Sequence, residues 1–398
     1  VTDDPTPPEA PARFPLYGPE YTESPGSVYA AMRAHGGVAP VELLPGVPAT
    51  LIIGYEEALE VMRDPGRFPR DASRWERKMD PGCPLLPMMG FRRNTMSVNG
   101  AVHARLRSAI TDSLDRVDVA ALRRLVETTA DALVSDFTAD GEADLVGQYS
   151  RPLPMLVFAE LFGCPPDLAG RFVRDMRDIF DGTNVQEADQ RLHQTVRELL
   201  EFKRARPGGD LTSWMIAHPA GLDESELIEQ IVLMFGAGSE PQQSLIANGV
   251  RLLLSDERFA GDLSGGSLPV EDALDEILWS DPPVANFGST YPRQDLDFRG
   301  HRLPADEPVV VSYAAANTDP TRAVAQRAGN RAHLAFAAGP HTCPAKGHAR
   351  LIASVAIETL LDRLPDMELA VPAEELRWRP GPFHRALIAL PVKFPPQH

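Results

Sequence analysis

From Val41 to Ile53, ending in Thr50-Leu-Ile-Ile-Gly54, aliphatic residues crowd together and stop at a glycine, which predicts a strand pair. Tyr55 to Arg63 reads as a short helix stopped by Asp64-Pro65. Residues 69–98 lose periodicity around Pro81-Gly-Cys-Pro84 and predict a loop. Helical patterning with alternating charged and apolar faces resumes at Val102 and runs to residue 137. Further helices are expected over 151–163, 167–181, 186–205 and 223–255. Within 296–311 the pattern turns to β: Asp297 to Pro304 resembles a hairpin, and Pro308 to Ser312 a strand. A last helix is expected from about Ala345 to Leu364, then short strands with proline breaks over 367–395. No internal repeat is visible.

The helix centred on 223–255 has the clearest start. Asp223 stands as N-cap and Glu226 three residues on, a capping box with aspartate in the serine role. Its length is roughly 45–50 Å at about 1.5 Å per residue, enough to cross a domain. Its centre reads Phe235-Gly-Ala237-Gly238-Ser239-Glu240-Pro241-Gln242-Gln243. A proline there removes one N–H and is expected to kink the helix.

The chain has 398 residues with 43% hydrophobic, ample for a sizeable core. No apolar run reaches the roughly 18 residues that a membrane-spanning helix needs. Residues 1–14 are expected to be a surface segment, because they are acidic, proline-rich and unlike a signal peptide. The three cysteines Cys83, Cys164 and Cys343 are far apart, which suits a reducing cytoplasm. A net charge of −17 argues against nucleic acid and anionic membrane as partners.

One stretch carries chemistry: His333-Leu-Ala-Phe336-Ala-Ala-Gly339-Pro-His341-Thr-Cys343-Pro. It puts a cysteine on a turn directly before a helix. Backbone N–H groups and the helix dipole there favour the thiolate, the form that binds metals. A lone cysteine is otherwise most often structural. The Phe-x-x-Gly-x-His-x-Cys spacing resembles the heme-ligand loop of cytochromes P450. A second match is His103-Ala-Arg-Leu-Arg107, whose ends share a helix face.

The resemblance spans roughly 15–395 and implies a mainly α fold, with a large helical domain and a small β-rich lobe forming one domain over 1–398. It implies heme b (iron protoporphyrin IX) with Cys343 as the iron ligand and metal-binding residue. Phe336 packs beside the sulfur, Gly339 permits the turn, and Ala237 and Gly238 lie over the heme face. His103, Arg107 and His341 hold the propionates. The arginine expected on a later strand falls at Thr290 in the simplest register, which leaves Arg293 as candidate. Glu240 is the candidate acid for proton delivery, or else an exposed helix acid.

Three departures stand out. Pro241 replaces the threonine that manages protons during oxygen activation, with Gln242 beside it. Trp279 stands where the Glu-x-x-Arg motif has arginine, after a matching Glu276. That leaves Glu276 to find another partner, such as Arg322, Arg327 or Arg331, while Trp279 fills volume. Ala337 and Ala345 replace glycines of the cysteine loop. Met79, Met88, Met89 and Met96 either line a pocket or pack the core.

The resemblance implies a monooxygenase that oxidises an apolar small molecule with O2. Electrons are expected from a ferredoxin and its ferredoxin reductase, since no flavin, NAD or iron–sulfur fingerprint occurs. Arg105, Arg107, Arg322, Arg327, Arg331, Lys346, His348 and Arg350 are a candidate docking cluster for an acidic donor. The alternatives are a heme protein without standard oxygen activation, working with peroxide or binding a ligand, and a non-catalytic helper of a partner enzyme.

Overall fold

The computed structural model describes residues 12–256, 270–322 and 329–397. Most of the expected N-terminal surface segment, and Arg327, therefore lie outside the described residues.

The β-rich part is a five-stranded sheet in the order β1-β2-β3-β8-β5. Its members are β1 (Phe14–Pro15), β2 (Val38–Leu44), β3 (Val47–Ile52), β5 (Asn286–Thr290) and β8 (Val309–Ser312). The expected strand pair is the antiparallel β2–β3 hairpin, and β8 runs parallel beside β3. The expected 297–304 hairpin is β6 (Leu296–Phe298) with β7 (His301–Leu303). Strand β5 has no alternating apolar pattern; the strand that the resemblance implies at Thr290 is this one. It pairs with β8 through a register shift between Phe287 and Thr290. A smaller sheet joins β4 (Glu142–Asp144), β10 (Pro391–Lys393) and β9 (Glu368–Leu369).

The principal helices are α1 (Tyr55–Arg63), α2 (Gly100–Leu114), α3 (Val119–Ser135), α4 (Pro152–Leu161) and α5 (Pro166–Phe180). They continue with α6 (Val185–Ala205), α7 (Glu224–Ser255), α8 (Val270–Ser280) and α9 (Lys346–Arg363). The single helical stretch expected over 102–137 is two helices. Asp118 accepts from the Ala120 and Ala121 N–H groups and starts a new helix after Leu114. Helix α7 begins with the expected Asp223–Glu226 capping box and runs unbroken through Pro241.

The main core lies where α3, α4, α7, α8 and α9 meet. On α3 the buried residues Leu122, Val126, Ala130 and Val134 recur every fourth position, the stripe an amphipathic helix needs. Two mainly helical surfaces thus enclose a gap between α7 and the segment leading into α9.

Candidate functional site

That gap is a cavity of about 420 Å³ lined by Cys343, His341 and Phe336 on one side and by Ala237, Gly238 and Pro241 of α7 on another. Ala237 counts as exposed although it sits mid-helix, because the cavity lies against it. Gly238 has a further constraint: a Cβ there would come within 2.7 Å of the Phe158 ring.

The cysteine loop is shaped by its backbone. Ala337 sits at φ +56°, the left-handed region that disfavours a side chain, where the resembled loop has glycine. Gly339 sits at φ +69°, and a Cβ there would lie 2.4 Å from the Met62 carbonyl oxygen at the end of α1. The Cys343 N–H donates to the Phe336 carbonyl at 2.9 Å. Burial pushes the Cys343 thiol up, against the Ala345 N–H and the charges of Arg107 and Lys346, which pull it down. The helix start does favour the ionised sulfur as expected, but in the chain alone burial outweighs it.

At the cavity edge, His103 and His341 lie ring to ring at 4.2 Å. Asn99 accepts from the Arg70 N–H at 2.8 Å, and its amide nitrogen donates to His341 Nε2 at 3.2 Å. His341 Nε2 must then be an acceptor, which puts its proton on Nδ1. His103 Nε2 is buried with no protein partner. Burial, then the nearby Arg70, His103 and Arg107, push the His341 imidazole far below the ordinary range. Arg107 donates to the Thr342 carbonyl oxygen.

Arg70, on the loop after α1, was missed by sequence reasoning because no local pattern singles it out. It is buried, lines the cavity and reaches the Ser289 carbonyl at 3.4 Å. Gly288 at φ +72° makes room, since a Cβ there would approach the Arg70 guanidinium to 3.3 Å. The proposed Arg293 is not brought to the cavity. It follows Pro292 beyond the end of β5, at the surface, and pairs with Asp71 at 2.5 Å. Thr290 is buried in the sheet, bonded to the Val309 carbonyl.

Two arginines and two histidines thus converge with no carboxylate among them. Among the described residues the one acid lining the cavity, Asp189, pairs with Arg92 at 3.0 Å. The buried Arg70 guanidinium, the half-buried Arg107 and the orphaned His103 imidazole nitrogen fit an anionic guest with two carboxylates, which heme has. Cys343, on the loop that resembles the heme-ligand loop, lines this cavity and is the candidate iron ligand.

Glu240 is buried, not an exposed helix acid. It pairs with Arg379 and Gln243 and does not line the cavity. Gln242 lines the cavity, and its amide nitrogen donates to the Ala349 carbonyl of α9 at 3.0 Å. Met88 and Met96 line the cavity, while Met79 and Met89 pack into the sheet core. Four of the eight residues of the candidate docking cluster are paired internally: Arg105 with Glu226, Arg322 with Glu56, and Arg331 and Arg350 with Glu271. Lys346 is exposed at the start of α9.

Comparison with known proteins decides the family. The chain is 32% identical over 391 residues to the cytochrome P450 monooxygenase PikC of Streptomyces venezuelae, covering 95% of this chain and 92% of PikC. The protein is a cytochrome P450. It is also 29% identical to a 2-hydroxy-5-methyl-1-naphthoate 7-hydroxylase of Streptomyces carzinostaticus, over 94% of this chain and 96% of that one. Among solved structures, a steroid-bound CYP154C4 from a Streptomyces strain superposes with TM-score 0.87 at 30% identity, over 97% of this chain and 99% of that chain. No family model matches the chain. The P450 fold and a monooxygenase type of enzyme are thereby shown, and the family implies heme. No described helix is long and apolar enough to cross a membrane.

Proposed function

We propose that this P450 is a heme-thiolate monooxygenase in which Cys343 binds the iron and His103, Arg107, His341 and Arg70 hold the propionates. A cavity that Cys343 shares with Arg70, Arg107 and His341, with no carboxylate among them, is the observation that carries this reading. Heme held there supplies the iron at which dioxygen is activated and one oxygen atom is delivered to the substrate. The chain's residues do the rest. Arg70 and Arg107 neutralise the propionates, His341 Nδ1–H and His103 supply hydrogen bonds, and Phe336 shields the sulfur from water.

The substrate is an apolar, medium-sized molecule of secondary metabolism. The cavity wall is largely aliphatic and aromatic, with Leu114, Val117, Phe158, Ile179 and Phe180 among its members. The names of relatives include polyketide biosynthesis and a mycinamicin hydroxylase/epoxidase, which supports a polyketide-like substrate. Electrons are supplied by a ferredoxin and its reductase, docking near exposed Lys346.

Reduction under carbon monoxide tests the ligand. The wild-type protein is expected to give the strongly red-shifted Soret band of a thiolate complex, and Cys343→Ala to lack it. A retained band in that variant would place the ligand elsewhere.

A second reading, oxidation driven by peroxide, is favoured by Pro241 and by the turning of Glu240 toward Arg379. Product formation with hydrogen peroxide but not with ferredoxin and reductase would select it.

A further inference from the structure

The end of α8 meets the cysteine loop in a way that the missing arginine at position 279 does not explain. Trp279 is buried, and its Nε1–H donates to the Asn330 carbonyl at 2.7 Å. A side chain that only filled volume would need no such acceptor. The indole stands edge-on to His333, with centroids 5.9 Å apart and planes at 86°. His333 lies 5.7 Å from the Phe336 ring. The Phe336 carbonyl in turn receives the Cys343 N–H at 2.9 Å. Aromatic contacts of this spacing are directional, so a shift of one ring is passed to the next.

A neighbouring tie points the same way. The Asn317 amide donates to the Leu278 carbonyl at 2.9 Å and accepts from the Leu334 N–H at 2.7 Å. One helix turn earlier, Asp275 pairs with Arg350 of α9 at 2.5 Å and accepts from the Gly329 N–H at 3.2 Å. Helix α8 therefore grips the chain at 329, 330, 333 and 334 on one side of Cys343, and at 350 on the other.

We infer that Trp279 is a positioning residue that fixes Cys343 through His333 and Phe336. This rests on Cys343 being the iron ligand. The brace is aromatic and neutral at its centre, and the charged Asp275–Arg350 pair completes it. Purely structural importance of Trp279 would lower stability without altering how the sulfur binds. A positioning role changes the sulfur's bonding at unchanged heme content.

The test uses the heme-loaded protein and three variants. Trp279→Phe keeps a ring but drops the N–H, Trp279→Leu drops both, and His333→Leu removes the middle ring. The red-shifted carbon-monoxide band is expected to fall partly in Trp279→Phe and mostly in Trp279→Leu, with heme stoichiometry unchanged. His333→Leu is expected to match Trp279→Leu, and the double variant to be no worse than either. Wild-type band intensity in both leucine variants overturns the inference. Should Trp279→Leu fail to fold, Trp279→Phe decides alone, and an unchanged band there overturns it.

Amide hydrogen exchange at Cys343 in the heme-free protein is the second readout. Faster exchange in Trp279→Phe supports the brace, and wild-type exchange rejects it. A wild-type protein with no red-shifted band sinks the ligand assignment instead, and the exchange measurement still judges the brace.

Discussion

On the cysteine side of the cavity, shape comes from the main chain: left-handed Ala337 and Gly339, and the Cys343 N–H bonded to Phe336. On the α7 side it comes from partnerships between buried side chains and their neighbours, Glu240 with Arg379 and Gln242 with the Ala349 carbonyl. Backbone geometry tolerates few residue types, so the cysteine side keeps its family spacing. Side-chain partnerships can be exchanged, and the α7 side has lost its threonine while keeping a continuous helix.

The sharpest way to break this contrast is Gly339→Ala. Left-handed strain and the 2.4 Å clash with the Met62 carbonyl together cost roughly 2–5 kcal/mol. Heme incorporation and thermal midpoint should both fall, and near-normal heme binding would show the loop to be more pliable than its geometry implies. On the α7 side, Arg379→Ala leaves Glu240 buried without its charged partner and is expected to cost about 3 kcal/mol in chemical denaturation. The red-shifted band should survive there, and its loss would mean that both sides depend on the same bonds.

His333 adds a pH effect to the cysteine side. Burial lowers its folded-state pKa to about 4, from an ordinary value of 6.5. The unfolded chain therefore takes up a proton first as pH falls. Stability is fully present above pH 6.5 and is lost between there and about 4, by on the order of 2–3 kcal/mol. Denaturant melts of heme-free His333→Phe should show a shallower loss over that window than wild type. The smallest effect is Ala337→Gly, which relieves a left-handed alanine and should stabilise by about 1 kcal/mol in the same melts. No gain would mean that the alanine sits there without strain.

What could be read from sequence was local. The Cys343 loop, the His103–Arg107 pair and the Asp223–Glu226 start of α7 each lie within a few residues; the capping box is present, and Cys343 and Arg107 line the cavity. The missed features are pairings across the chain. Arg70 meets Ser289, and Glu240 meets Arg379 139 residues away. Trp279 reaches Asn330. A lone arginine in an aperiodic loop carries no local mark of its partner. Arg293 was misjudged for the same reason: counting along the strand cannot show where β5 ends, and of that strand only Phe287 and Gly288 line the cavity.

The hydrogen bond from Gln242 to Ala349 joins the helix facing the oxygen pocket to the helix that follows the thiolate. A substrate that displaces α7 would tug on this strut and shift the start of α9, which the Cys343 loop leads into. Occupancy of the pocket and the placement of α9 are then coupled by the protein scaffold itself.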